Sequence, residues 1–251
     1  MKDWPLFYAP EVKEQLALPE AEAQHALRVL RVGPGDELLA TDGRGALYEL
    51  RVTATDRRHC LVELTHEERW QPYWRGRLTL ALAPTKSMER IEWTLEKAVE
   101  LGVDELILLR VKHSERKHTN VARLERIIES AMKQSHKAWL PELRVDVPFA
   151  ELLEEHPAAV KLIAHCRGEL QPERRLISDC WQAGADTLVA IGPEGDFTEE
   201  ELQRAFERGY QPITLGESRL RTETAGLVAL QWLHTLDQMD RSAQSTTTRQ
   251  E

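Results

Sequence analysis

Two stretches near the C-terminal end carry residue types that could hold a ligand. The first is Ile191-Gly192-Pro193-Glu194-Gly195-Asp196-Phe197; the second runs from Leu215-Gly216 to Leu220-Arg221-Thr222-Glu223-Thr224. Gly192 and Gly195 let backbone approach a bound molecule with no Cβ in the way. Pro193 fixes φ and removes one donor. Two familiar nucleotide loops are excluded: no G-x-G-x-x-G follows the apolar run, and no Gly-Lys-Ser/Thr closes a P-loop. Glu194 inside the loop repels a phosphate. The ligand these letters allow is neutral or cationic at its centre. A plain strand-to-helix turn can have the same four letters, and a lone short motif does not separate the two readings.

Each stretch follows a bounded apolar run, Leu188–Ile191 and Pro212–Leu215, of a length that suits a buried strand. In open α/β sheets ligands sit beyond the carboxyl ends of strands. From Leu78 strand-like and helix-like patterns alternate. LTLALA is followed by a helix over Ser87–Leu101, with Met88, Ile91, Leu95, Ala98 and Val99 at helical spacing and Gly102 as its stop. Then come ELILLRV, Val160–Ala164, a helix near Glu173–Gln182, Thr187–Ile191, a helix over Thr198–Arg208 that opens on a Thr198/Glu201 capping box, Ile213–Leu215, and a helix over Thr222–Leu236. This alternation predicts an α/β fold with a largely parallel sheet covered on both faces.

Residues 1–70 predict a small β-rich unit. A helix over Pro19–Leu30 is stopped by Gly33-Pro34-Gly35, strands follow at Glu37–Thr41 and Leu47–Thr53 around a Gly43-Arg44-Gly45 hairpin, and a third lies at Cys60–Leu64. Residues 71–77 form a linker, 78–238 the α/β domain, and 239–251, polar and short of apolar residues, a disordered tail. The arginines and aromatics around the linker suit either an interdomain plug or stacking on unpaired bases, and the plug is favoured.

The net charge of −9 argues against a nucleic-acid partner overall, but local pattern matters more. Residues 110–118 read RVKHSERKH. The following helix carries Arg123, Arg126, Lys133 and Lys137 on one stripe and Leu124, Ile127, Ile128, Ala131 and Ser135 on another. Arg28, Arg31 and Arg44 offer further phosphate contacts, although solvated charged faces look the same. His113 and His118 fit no metal spacing, and no metal is expected. Cys60, Cys166 and Cys180 form no framework, the N-terminus has no secretory apolar core, and no apolar run spans a membrane. A cytoplasmic protein is the expectation. The last helix, apolar on most sides through Leu227, Val228, Leu230, Trp232, Leu233 and Leu236, predicts a two-fold homodimer.

Six blocks in order carry a resemblance: His25–Arg31; Lys86 with Glu96–Val103; Ser114-Glu115-Arg116; Ala131 with Gln134-Ser135; Ile191–Gly195; and Leu215-Gly216 with Leu220–Ala225. The chain resembles the ribosomal RNA small subunit methyltransferase E family, uridine-N3 methyltransferases of the SPOUT superfamily. That resemblance implies a PUA-like barrel for RNA at the N-terminus. It also implies a SPOUT domain with a deep trefoil knot, S-adenosylmethionine in the knot, a dimer, and methylation of one uridine at N3 in 16S ribosomal RNA. Carried over by position, Ile191, Gly192, Pro193, Glu194, Gly195, Leu215, Gly216, Leu220, Thr222 and Thr224 hold the cofactor. Asp196 and Ser218 stand where the family has glycine and arginine, and Lys137 where it has arginine, losing the bidentate fork.

Transfer to uridine N3 requires an unpaired base and loss of the N3 proton. Charge then spreads over O2 and O4, where a cation stabilises it. Arg116 and Arg221 are the candidate cations. Glu223 is the candidate base, and an ion pair or a helix-start charge is its structural alternative. Glu100 is a second candidate, better suited to a structural role.

Overall fold

Residues 4–114, 119–167 and 172–247 are described by the computed structural model. They divide into two units, residues 1–72 with 129–140, and residues 73–128 with 141–251.

The first unit holds β1 (Leu6–Tyr8), α1 (Val12–Gln15), α2 (Glu20–His25) extended by a π turn over Ala26–Leu30, β2 (Glu37–Thr41), β3 (Ala46–Thr55) and β4 (Cys60–Arg69). The strands lie in the order β1-β2-β3-β4, parallel between β1 and β2 and antiparallel thereafter. The β2–β3 hairpin is fastened by Asp42, whose Oδ1 accepts from the Arg44 and Ala46 amides at 2.7 and 3.0 Å, between left-handed Gly43 and Gly45. Phe7, Leu38, Ala40, Tyr48, Leu50, Val52 and Val62 fill the core from alternate strand positions. β4 outruns its apolar pattern because its last residues still pair with β3, as far as Ala46 opposite Arg69.

The second unit holds β5 (Leu78–Leu82), α3 (Met88–Leu101), β6 (Glu105–Arg110), α4 (Val121–Gln134, its second half counted with the first unit), β7 (Glu142–Pro148), α5 (Phe149–Glu155), β8 (Val160–Ala164), β9 (Arg175–Leu176), α6 (Ile177–Cys180), β10 (Thr187–Ile191), α7 (Glu199–Glu207), β11 (Gln211–Thr214) and α8 (Thr222–Thr247). The sheet order is β7-β6-β5-β10-β8-β11-β9 and every pair is parallel. The central strands are apolar because both faces are covered. Since β5, β10, β8 and β11 are neighbours and parallel, their carboxyl ends share one edge of the sheet.

Two expectations are corrected. Residues 173–182 form no long helix: a two-residue strand precedes a single helical turn that buries only Ile177 and Cys180. Residues 239–247 continue α8 instead of forming a tail. No glycine or proline interrupts the run after Gly226, and polar residues do not break a helix. Asp240 also accepts from Arg75 at 2.7 Å; residues 248–251 lie outside the described residues. β7 and α5 had no prediction, because ELRVDVP is half charged and lies at the sheet edge. The ring of Trp74 is buried: it donates to Asp104 at 3.0 Å and stands edge-on to His234.

Candidate functional site

The edge shared by β5, β10, β8 and β11 carries the segments singled out by sequence. After β10, Ile191, Gly192 and Pro193 are buried while Glu194 and Gly195 are exposed. A cavity of about 460 Å³ is lined by Pro84, Thr85 and Lys86 after β5, by His113, and by Pro193, Glu194 and Gly195. That volume lies within the roughly 300–1,000 Å³ of small-molecule sites.

The β10 loop is held in shape by its own residues. Asp196 adopts φ +61, its amide donates to the Pro193 carbonyl at 2.9 Å, and its carboxylate accepts from the Phe197 and Cys166 amides, each at 2.8 Å. Cys166 follows β8, so the carboxylate ties two strand ends together. Aspartate tolerates the left-handed region through such local bonds. His165, which precedes Cys166 at the end of β8, is buried, and burial pushes its imidazole below the ordinary value, with the Asp196 charge opposing. His113 Nδ1 lies 3.0 Å from the Asp196 carbonyl. A carbonyl only accepts, so Nδ1 carries the proton.

The second segment closes on the first. Thr222 Oγ1 donates to the Gly192 carbonyl at 2.9 Å, and this bond is buried. Gly216 turns at φ +116, with Thr214 Oγ1 accepting from its amide at 3.3 Å. Leu215 and Leu220 are half-buried, and Ser218, Arg219, Arg221 and Thr224 are exposed. Glu223 is buried; its Oε1 accepts from Arg90 at 2.9 Å, while Oε2 is enclosed with no hydrogen-bond partner among the described residues.

The geometry therefore brings Gly192, Pro193, Glu194, Gly195, Thr222 and Glu223 into one neighbourhood. Arg116 lies outside the described residues, as does His118. Glu100 accepts from Lys97 at 2.6 Å. Arg28 and Arg31 are exposed at the π turn, which ends at Arg31 with φ +57. The basic stripe on α4 is less free than its letters imply. Arg123 grips Glu92 with two bonds of 2.6 and 2.7 Å. Arg126 stays exposed. Lys133 is bound to Glu22 and to Glu129, and Lys137 is buried at 5 % exposure. Lys137 is thus no part of an outer basic face: α4 ends at Gln134 and the backbone turns left-handed at His136, carrying Lys137 off the stripe.

Sequence reasoning did not assign Thr85, Arg90 or His113 to this site. The strand-end rule applied to β5, whose run ends in Pro84, would have found the Pro84–Lys86 wall.

Two family models match the chain: an RNA methyltransferase domain over residues 72–234 and an RNA methyltransferase PUA domain over residues 18–65. Ribosomal RNA small subunit methyltransferase E of Mycobacterium bovis is 31% identical over 240 residues, covering 90% of this chain and 89% of that protein. Among solved structures, a probable rRNA-methyltransferase from Porphyromonas gingivalis is similar with a TM-score of 0.89 and 50% identity, covering 94% of this chain and 99% of that one. A ribosomal RNA small subunit methyltransferase E from Neisseria gonorrhoeae, solved bound to S-adenosyl methionine, has a TM-score of 0.83 and 31% identity, covering 93% of this chain and 98% of that one.

Proposed function

Because this chain belongs to the RNA methyltransferase family that includes ribosomal RNA small subunit methyltransferase E, we propose that it methylates N3 of one uridine in 16S ribosomal RNA with S-adenosylmethionine. The observation that carries this reading is the Thr222 hydroxyl closed on the Gly192 carbonyl, which makes one cradle of two glycine-hinged loops.

The residues fit the cofactor. A Cβ on Gly192 would stand 3.0 Å from the Phe197 ring, so any side chain there has to push that ring aside. A Cβ on Gly195 would lie against His113 at the cavity wall. Ile191, Gly192, Pro193, Glu194, Gly195, Leu215, Gly216, Leu220, Thr222 and Thr224 hold the bound molecule, chiefly through backbone. When bound, S-adenosylmethionine supplies an electrophilic methyl on a sulfonium. The protein aligns the unpaired base and manages charge. Glu223 Oε2 accepts the N3 proton, and Arg221 and Arg116 are the candidate cations for the charge that develops on O2 and O4. The trefoil knot belongs to the same reading; its support is the return of the chain from β11 to seat Thr222 on the β10 loop.

Residues 1–70 hold RNA through Arg28 and Arg31, with Arg123 and Arg126 adding phosphate contacts. Lys133 is held by Glu22 and Glu129, so reaching a phosphate requires it to leave that pairing. The partners are small-subunit ribosomal RNA within the 30S particle, in the cytoplasm, and a second copy of this chain. Trp232 and Met239 on α8, 42% and 64% exposed, support the dimer.

Nucleoside mass spectrometry of 16S RNA tests the reading. A strain lacking this protein loses one 3-methyluridine, and purified protein with S-adenosylmethionine restores it. An unchanged modification pattern leaves a non-catalytic RNA-binding factor in its place.

A further inference from the structure

Glu223 has one occupied oxygen and one left over. Oε1 takes the Arg90 guanidinium at 2.9 Å; Oε2 is enclosed without a donor among the described residues. Buried acceptors are nearly always satisfied, and leaving one unmet costs stability. An acceptor held this way suits a donor that arrives with a ligand. Arg90 stands in the first turn of α3, directly after the Pro84–Lys86 wall, and Thr94 Oγ1 donates to its carbonyl at 2.7 Å. Glu223 follows Thr222, which closes on Gly192. One ion pair therefore joins the β5 side of the site to the start of α8.

We propose that Arg90 is a positioning residue for methyl transfer: by holding Oε1 it fixes the Glu223 carboxylate so that Oε2 alone meets the N3–H of the target pyrimidine. The inference rests on the reading of Glu223 as proton acceptor. In the step it serves, the N3 proton passes to Oε2 while N3 bonds the methyl carbon. The carbon–sulfur pair stays on sulfur, leaving a neutral thioether, and the carboxyl later releases its proton to water. The Arg90 side chain is 42% exposed but that of Glu223 only 9%, so removing Arg90 leaves a buried carboxylate without its partner. A purely structural Arg90 therefore lowers stability on removal without slowing methyl transfer by the folded protein.

The test compares wild type with Arg90→Met, Arg90→Lys, Glu223→Gln and the Arg90→Met/Glu223→Gln double variant, using single-turnover methylation of unmodified RNA and calorimetry with S-adenosylmethionine. Arg90→Met slows the chemical step by on the order of a hundredfold, as loss of an aligned proton acceptor does. Its cofactor dissociation constant stays within about threefold, since the interaction acts in the transition state and not in ground-state binding. Arg90→Lys recovers much of the rate, and the double variant is no slower than Glu223→Gln alone, because the two residues act as one unit. In a crystal structure of cofactor-free Arg90→Met, the Glu223 carboxylate is turned from its present orientation. Arg90→Met at the wild-type rate beside a slow Glu223→Gln overturns the proposal, as do two losses that multiply in the double variant. Glu223→Gln at the wild-type rate removes the proton-acceptor reading and this inference with it, while leaving the methyltransferase assignment standing.

Discussion

At Asp196 the backbone turns to φ +61 and the side chain makes two 2.8 Å bonds to amides on different strand ends. Two effects compete there. The left-handed conformation costs a non-glycine residue roughly 1–2 kcal/mol, and bonds to a charged acceptor return about 1.5–3 kcal/mol each. Asp196→Ala keeps the strain and loses both bonds, whereas Asp196→Gly loses the bonds but sheds the strain. The alanine variant is therefore expected to unfold at lower denaturant than the glycine variant, with both below wild type. The reverse order contradicts this account of the loop. Thr222→Val removes the hydroxyl that satisfies a buried carbonyl; about 1–3 kcal/mol of loop closure goes with it. Calorimetry should show S-adenosylmethionine binding weakened by tenfold or more. The letters GPEG and LRTET pointed to both segments. What they could not supply was the hydrogen bond between Thr222 and Gly192, which depends on how far the chain folds back. Nor could they reveal Arg90's hold on Glu223, made across more than a hundred residues of chain.

At the scale of elements, α7 opens on a complete capping box: Thr198 Oγ1 accepts from the Glu201 amide at 3.2 Å, and Glu201 Oε2 accepts from the Thr198 amide at 2.8 Å. That box was readable, since its four positions are consecutive. So were Val160–Ala164, apolar but for Lys161, and Thr187–Ile191, buried along its whole length. β7 was not, because an edge strand has one neighbour and tolerates charge. At the opposite end of the sheet from the cavity, Glu105 accepts from Thr79 at 3.1 Å and from His156 at 3.2 Å, near Arg77 and Arg144. Burial, the largest single influence on Glu105, raises its pKa, but His156, Thr79 and Arg77 together hold it below the usual carboxylate range. A carboxyl with a folded pKa below its unfolded one contributes stability fully present above the unfolded value. That stability is lost as pH falls through the folded value. Glu105→Gln is accordingly expected to lower the melting temperature at neutral pH, and the gap to wild type should narrow below about pH 4. A gap that stays constant with pH contradicts the assignment.

On the scale of the whole molecule, the described residues divide into two units, and the switch from hairpins to alternating strand and helix between residues 70 and 78 is legible in the letters. The inclusion of residues 129–140 in the first unit was not, because contiguity in space leaves no mark on composition. The length of α8 was misjudged for a related reason: polar sequence reads as tail when helix continuation depends on partners such as Arg75 with Asp237 and Asp240. A knotted path leaves no periodicity at all. Trp232→Glu should shift the protein toward monomer in sedimentation velocity if α8 packs on a second copy; an unchanged sedimentation coefficient argues against that interface.

The central claim is that the loops after β10 and β11 form one cradle for a methyl donor. Isothermal titration of S-adenosylmethionine into wild type and Gly192→Val tests it most directly. A valine side chain at Gly192 enters space that the Phe197 ring already occupies, since even its Cβ would stand 3.0 Å from that ring. The account predicts one molecule bound per wild-type chain and no measurable binding to a folded Gly192→Val. Equal binding by the two proteins, or none by wild type, would contradict it.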